Sequence, residues 1–143
     1  MRVYLDNCCL NRPFDDQSQA RVRLEAEAKL EIQQRVQNGR IELAWSYVLE
    51  YENHANPFEL RRNLVARWKN EAVVDIEETE AIVLQADEIV GRGLRASGAL
   101  HIACAIAAGC DLFLTTDDVI VKRMQGFPHI AVMNPAQFIV EVE

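Results

Sequence analysis

Hydrophobic and polar positions divide the chain into two alternating kinds of segment. Short apolar runs typical of buried strands occur five times, at residues 2–5, 41–45, 72–76, 111–116 and 130–133. The segments between them carry apolar residues at the three- and four-residue spacing of amphipathic helices. In the longest, residues 18–38, this spacing is kept by Ala20, Leu24, Ala28, Ile32 and Val36.

Capping residues predict where the other helices begin. Ser46 follows the second strand and can cap a helix that carries Glu50, and Ser97 can cap a helix over residues 99–108. Asn-Pro pairs at 56–57 and 134–135 each predict a further helix start, and residues 78–90 form another helical segment.

Strands that alternate with helices predict an α/β fold. The apolar strand runs indicate a parallel sheet buried on both faces, which gives three layers with helices above and below the sheet. The length of 143 residues is typical of one domain, so we expect a single domain over residues 1–143.

Composition predicts the cellular compartment of the protein and the redox state of its cysteines. No run reaches the roughly 18 apolar residues of a membrane span, and the N-terminus lacks the apolar region of a signal peptide, so we expect a cytoplasmic protein without membrane contact. The four cysteines, Cys8, Cys9, Cys104 and Cys110, have neither zinc-binding nor favourable disulfide spacing and are expected to be reduced thiols.

The formal net charge of −7 argues against a broad basic surface for nucleic acid. It is compatible with a nuclease, because clustered carboxylates that hold a metal ion lower the net charge. The basic residues Arg61, Arg62, Arg67 and Lys69 form either a solvated helix face or a local contact for phosphates.

Acidic residues follow several predicted strands. Asp6-Asn7 comes after the first strand, Thr115 to Asp118 after the fourth, and Glu50 one helical turn beyond the second. Ligands of open parallel sheets bind at the carboxyl ends of the strands. We therefore expect Asp6, Glu50 and Asp117 to converge within roughly 8 Å and to hold Mg²⁺ or Mn²⁺ through oxygen ligands.

Each of these residues also has a structural interpretation. Asp6 could cap the next segment, Glu50 could be a solvated helix residue, and Asp117 could form an Asx turn. Asp118 fits a turn or supporting position better than a ligand, although it could join the metal site. His101 lies beside apolar helix positions and is expected to have a structural or supporting role.

Four sequence blocks together resemble PIN domains. They are VYLDNCCLNRPFDD from residue 3, the S-x-x-x-E of Ser46 to Glu50, ALHIACAIAAGCD over 99–111 and FLTTD over 113–117. The resemblance spans essentially the whole chain. It implies a five-stranded parallel sheet of order 3-2-1-4-5 and a metal-dependent ribonuclease, many members being toxins of VapBC-type toxin–antitoxin modules.

The resemblance also assigns roles to residues. Asp6, Glu50 and Asp117 match family acids, with Thr115 as the hydroxyl partner of Asp117 and Asn7 as a small polar neighbour. The implied partners are single-stranded or structured RNA, an antitoxin protein and, in some members, a second copy of the chain. One acid is missing, because the position before Ala-Leu-His is Gly98.

Two functions remain open at this point. One is an Mg²⁺- or Mn²⁺-dependent endoribonuclease; the other, favoured by Gly98, is a catalytically degenerate PIN fold that binds RNA or protein. A phosphoacceptor receiver domain is disfavoured, because an Asp after strand three and a Lys after strand five are missing. Dehalogenase-type chemistry is disfavoured too, because the first strand ends in Asp6-Asn7-Cys8 rather than Asp-x-Asp.

Overall fold

A parallel sheet of five strands forms the centre of the molecule, in a computed structural model that describes residues 1–141. The strands are β1 (Arg2–Leu5), β2 (Glu42–Ser46), β3 (Ala72–Ile76), β4 (Leu112–Leu114) and β5 (Ala131–Met133). Their order across the sheet is β3-β2-β1-β4-β5, so the predicted α/β class and strand order are confirmed.

Helices connect the strands. The α-helices among the described residues are α1 (Asn7–Asn11), α2 (Ala20–Gln37), α3 (Tyr47–His54), α4 (Glu59–Ala66), α5 (Glu80–Val90), α6 (Ala96–Ala107), α7 (Asp118–Arg123) and α8 (Pro135–Glu141). Two 3₁₀ helices, Arg12–Phe14 and Arg67–Glu71, follow α1 and α4. Over residues 1–141 no helix has both the length and the apolar character that crossing a bilayer requires.

The middle of the sheet is the core. Tyr4 on β1 and Phe113 on β4 are fully buried, and their rings stack with centroids 5.4 Å apart. β1 pairs in parallel with both β2 and β4, so its carboxyl end lies between the ends of two neighbours. This arrangement brings three chain segments that are distant in sequence to one edge of the sheet.

Two helix starts differ from the predicted positions. The Asn56 side-chain oxygen accepts a hydrogen bond from the Phe58 N–H at 3.0 Å, and this Asx turn delays α4 until Glu59 rather than Pro57. Helix α6 begins at Ala96, so Ser97 lies inside its first turn and does not cap it.

The helices α1 and α7 were not predicted. They contain five and six residues, which is too short for a recognisable apolar period. Their caps are nevertheless visible in the sequence as Asp6 and Asp117, whose side chains accept hydrogen bonds from the first backbone N–H groups of each helix.

A buried lysine lies in the middle of α2. Lys29 is 3% exposed, its Nζ donates to Gln33 Oε1 at 2.8 Å and sits 4.8 Å from the centre of the Trp68 ring. Burial lowers the pKa of Lys29 to about 8, because the interior disfavours the ammonium form. The cation–π contact with Trp68 offsets part of that cost.

Lys29→Met should therefore stabilise the fold near neutral pH. The wild-type lysine has a lower pKa folded than unfolded, so the unfolded chain binds more protons between pH 8 and 10.5, and stability rises with pH across that window. The variant should be more stable by about 1–3 kcal/mol at pH 7, and its advantage should shrink towards pH 10.5. Urea unfolding at several pH values measures this, with the exposed Lys122→Met as control. A difference that does not change with pH would contradict the prediction.

Candidate functional site

A cavity of about 900 Å³ opens at the carboxyl ends of β1, β2 and β4. Its wall combines acidic, basic and polar side chains from five parts of the chain. They include Asp6, Asn7, Cys8, Asp15, Glu52, Arg61, Arg95, His101 and Asp117. The cavity therefore lies where open parallel sheets bind their ligands.

Asp6 is held in place by three contacts at the end of β1. Its backbone N–H donates to the Leu114 carbonyl at 2.9 Å, and its Oδ1 accepts from the Asn7 N–H at 2.8 Å. Its Oδ2 accepts from the Thr115 hydroxyl at 2.9 Å. The residue is 8% exposed, so the carboxylate is both nearly buried and fixed in direction.

The hydroxyl of Thr115 links the acids of two strands. While it donates to Asp6, it also accepts from the Asp117 backbone N–H at 3.1 Å. Thr115 is fully buried, so water does not compete for either bond. A single hydroxyl thus sets the relative positions of the first and last acids of the site.

Asp117 lies on the cavity wall as the N-cap of α7. Its Oδ1 accepts from the backbone N–H groups of Val119 at 2.9 Å and Ile120 at 3.4 Å. Asp117 therefore both caps a helix and lines the cavity.

Glu50 does not converge with Asp6 and Asp117, which corrects that expectation. Its Oε2 accepts from the Trp45 indole N–H at 2.9 Å and lies 3.4 Å from Lys69 Nζ. It lines a separate cavity of about 410 Å³ beside Asp75. An α-helix turns about 100° per residue, so the cavity face of α3 is presented two residues later, at Glu52.

Glu52 and His101 were not predicted as site residues, yet they meet Asp6 in the cavity. His101 Nε2 hydrogen-bonds to Glu52 Oε1 and lies 3.7 Å from Asp6 Oδ1. One ligand atom from each of the three residues lies within 4.8 Å of the other two. The sequence carried a signal for Glu52, because it follows the buried Val48 at four-residue spacing and so borders the inward face of α3.

Behind the cavity, His101 belongs to a buried chain of hydrogen bonds. Its Nδ1 lies 2.6 Å from the Tyr4 hydroxyl, which lies 2.6 Å from Ser46 Oγ. Burial opposes a charge on His101, but the hydrogen bond to Glu52 and the charge of Asp6 outweigh it and raise the pKa of His101 above its ordinary value. Tyr4 and Glu52 thus hold the two ring nitrogens of His101 from opposite ends.

The side chain of Asp118 points to α2 rather than to the cavity. Its two oxygens accept from the Arg21 guanidinium at 2.6 and 2.7 Å, and this hydrogen-bonded pair lowers the pKa of Asp118. The metal-ligand role considered for Asp118 is thus not supported by its position. Asn7 does line the cavity, and its side-chain oxygen accepts from the Asn11 amide at 3.1 Å.

Gly98 is buried in the first turn of α6 and forms part of the cavity wall. A Cβ atom added to Gly98 would lie 3.1 Å from Ile120 Cδ1, a close contact with a flexible side chain. Any side chain introduced at this position therefore needs a small shift of Ile120.

Cys8 also lines the cavity. Its sulfur lies 3.5 Å from both Asp6 Oδ2 and Thr115 Oγ1, and a hydrogen bond with Cys9 is the main cause that lowers the pKa of Cys8. All four cysteines are free thiols, as the sequence predicted.

Arg61 and Lys69, two of the basic residues on and after α4, border different cavities. Arg61 borders the large cavity, where its guanidinium donates to the Phe14 carbonyl at 2.6 Å and to Asp15 Oδ1 at 3.2 Å. Lys69 instead lies between Glu50 and Asp75 at the smaller cavity. Arg61 is therefore the member of this group that is placed to meet a ligand of the large cavity.

Comparisons with known proteins identify the family and the fold of the chain. The family model of the PIN domain matches residues 3–125. The crystal structure of VapBC2 from Rickettsia felis bound to a DNA fragment from their promoter contains a chain with the same fold, at a TM-score of 0.58. The alignment covers 94% of this chain and 98% of that one at 13% sequence identity, which supports the fold alone. No curated protein matches the sequence.

Replacing Thr115 by the equally shaped Val should destabilise the fold, because it removes one donor and one acceptor that serve Asp6 and Asp117. Leaving buried polar groups without partners predicts a loss of about 2–3 kcal/mol in the free energy of unfolding. Thr79→Val is a matched control, since it removes only the hydroxyl that caps α5 and should cost about 1 kcal/mol. Equal losses in the two variants, measured by denaturant unfolding, would contradict the role given to Thr115.

Proposed function

Because this chain belongs to the PIN domain family, we propose that it is an endoribonuclease that depends on a divalent metal ion. The observation that carries the proposal is the convergence of Asp6, Glu52 and His101 in one cavity at the carboxyl ends of the strands. Mg²⁺ or Mn²⁺ is the ion that the carboxylates suggest, and RNA, single-stranded or structured, is the substrate class.

The donor atoms fit a divalent cation. Two carboxylates and one imidazole lie within 4.8 Å of one another, and the two negative charges match the charge of the ion. Such an ion, when bound, supplies an activated water and stabilises the negative charge that develops at phosphorus. Asp6 and Glu52 would hold the ion, with Asp6 kept in direction by Thr115.

Other residues of the cavity have complementary roles in this proposal. Asp117 uses one oxygen to cap α7, which leaves the second oxygen to accept a proton from the attacking water. Arg61 and Arg95 also line the cavity and would attract the phosphate backbone, which the net charge of −7 otherwise repels. Arg61 is already fixed by its bonds to Phe14 and Asp15.

An antitoxin protein is the partner that we propose for this nuclease. The motif resemblance to toxins of toxin–antitoxin modules supports it, together with a fold shared with a chain of VapBC2 from Rickettsia felis. A second copy of the chain is a further candidate partner, and the cytoplasm is the proposed location.

A non-catalytic PIN fold is the second candidate, and Gly98 is the observation that favours it. This position forms part of the cavity wall but has no side chain to contribute a ligand. On this alternative the cavity binds RNA or protein without cutting it.

Divalent metal should stabilise the folded protein if the site is functional. At 1 mM ion and a Kd of about 0.1 mM, mass action gives roughly 1.4 kcal/mol, readable as a higher melting temperature. Asp6→Asn and Glu52→Gln should remove the response, whereas Glu50→Gln, on the same helix but outside the cavity, should keep it. An unchanged melting temperature of the wild type between 0 and about 10 mM Mn²⁺ or Mg²⁺ would argue against the site.

Cleavage of RNA separates the two candidate functions. Loss of several kcal/mol of charge stabilisation predicts that Glu52→Gln reduces cleavage by about a hundredfold or more, while Glu50→Gln stays near wild type. The assay uses one labelled RNA with Mn²⁺ and with EDTA. Equal activity in Glu52→Gln and wild type would exclude the proposed ligand role of Glu52.

Gly98→Asp tests whether a carboxylate is missing from the site. Gly98→Ala is the matched control, because both variants add the same Cβ contact with Ile120. Repulsion by Asp6 and Glu52 should make the Asp variant less stable than the Ala variant in EDTA. With Mn²⁺ we expect the Asp variant to bind metal more tightly and to cleave RNA faster than the Ala variant. Identical behaviour of the two variants would show that the new carboxylate does not reach the ion.

A further inference from the structure

Phe58 is an exposed aromatic residue at the large cavity, and the proposed chemistry makes no use of it. The residue is 60% exposed and lines the cavity together with Pro57 and Arg61. Single apolar residues are common on protein surfaces, so exposure alone does not indicate a role. What distinguishes Phe58 is a fixed turn that presents the ring and an arginine that lies beside it.

The turn that carries Phe58 is held by hydrogen bonds from two helices. Asn56 Oδ1 accepts from the Phe58 backbone N–H at 3.0 Å, and Asn56 Nδ2 donates to Asn11 Oδ1 on α1 at 3.1 Å. The Asn56 carbonyl accepts from the Arg62 guanidinium on α4 at 2.9 Å, and Pro57 restricts its own φ angle. The backbone that positions the ring is therefore ordered before a ligand binds, which lowers the entropic cost of a contact with Phe58.

A guanidinium group lies next to the ring of Phe58. The central carbon of the Arg61 guanidinium is 4.9 Å from the centre of that ring. Arg61 is anchored by its bonds to the Phe14 carbonyl and to Asp15 Oδ1. A guanidinium carries five N–H donors, so these two bonds leave other donors for a phosphate. An accessible aromatic ring and a fixed cation are therefore neighbours at the cavity.

An unpaired nucleobase is the ligand that fits both groups. Every base has a flat π face that stacks on aromatic side chains, and arginine binds the phosphates of the same strand. Bases within an A-form duplex stack on one another and are closed to a protein ring. An apolar side chain of a protein partner could also cover Phe58, but it would desolvate the Arg61 guanidinium without giving it a new hydrogen-bond partner.

We propose that Phe58 stacks on an unpaired base of the bound RNA while Arg61 binds a phosphate of the same strand. Phe58 is then the residue that makes the site select single-stranded over structured RNA. The contact tolerates any base, because all four have a π face. This inference rests on the proposed function, since it requires RNA to enter the large cavity.

RNA binding by the full-length chain tests the proposal. Fluorescence anisotropy in EDTA, in which the proposed nuclease does not cut, compares a short labelled oligouridine with an RNA duplex of the same length. The wild type should bind the single strand more tightly than the duplex. Phe58→Ala should weaken binding of the single strand by about 5- to 100-fold, the range expected for the loss of one base–aromatic stack, and should change duplex binding much less.

Further variants separate stacking from other effects of the ring. Phe58→Trp should keep the wild-type affinity, whereas Phe58→Leu, which is apolar but has no π face, should lose it as Phe58→Ala does. An oligomer with the same phosphates but no bases should bind the wild type and Phe58→Ala equally. The Phe58 side chain makes no capping bond to α4, so these variants should unfold at the wild-type temperature.

Tyr51→Ala is the matched control. Tyr51 is also an exposed aromatic residue, at 78%, but it lines the smaller cavity beside Glu50. Its removal should leave binding of the oligouridine at the wild-type level. An equal loss in Tyr51→Ala and Phe58→Ala would contradict a stacking site at the large cavity.

Two other results would overturn the inference. One is an unchanged oligouridine affinity in Phe58→Ala, and the other is full affinity in Phe58→Leu, which would indicate an apolar contact rather than a stack. Both leave the proposed nuclease intact if the wild type cleaves RNA with Mn²⁺. If the wild type binds neither RNA, the stacking site is excluded, and if it also cleaves none with Mn²⁺, the proposed function fails as well.

Discussion

The parallel pairing of β1 with β4 is the constraint on which the site depends. It places Asp6 against Leu114 and brings the Thr115 hydroxyl to the Asp6 carboxylate, although these residues are more than a hundred positions apart. The same hydroxyl accepts a hydrogen bond from the Asp117 N–H, so it connects the segments that follow β1 and β4. The rings of Tyr4 and Phe113 stack between these two strands, which makes a shift in the register of their pairing costly.

Buried polar groups concentrate where the sheet meets the cavity. Tyr4, Ser46, His101 and Thr115 are all nearly or fully buried, and each has hydrogen-bond partners within the protein. An apolar core in these positions would avoid the desolvation cost of such groups. A network of this kind instead holds side chains in one orientation, which is the requirement of a site that must present several donor atoms to one ion.

Helix α3, which follows β2, contributes side chains to two different cavities. Ser46 caps α3 through the Leu49 N–H and thereby fixes the rotation of the helix about its axis. Glu50 then meets Trp45 and Lys69 on the outer side, while Glu52 meets His101 on the inner side. The two carboxylates are only two residues apart, and the rotation of the helix assigns them to different cavities.

The sequence by itself determined the α/β class, the strands and the acids that end them, because apolar period and strand-end chemistry are local properties. Asp6 could be identified because it directly follows a strand and Asp117 because it lies shortly after one, and the strand order came from a motif resemblance. Only the tertiary structure decided between Glu50 and Glu52 and brought His101 to Asp6. Those outcomes depend on the rotation of α3 and on the packing of α6 beside β1, which arise from contacts between segments distant in the chain. Asp118 is a similar case, because its ion pair with Arg21 joins residues 97 positions apart.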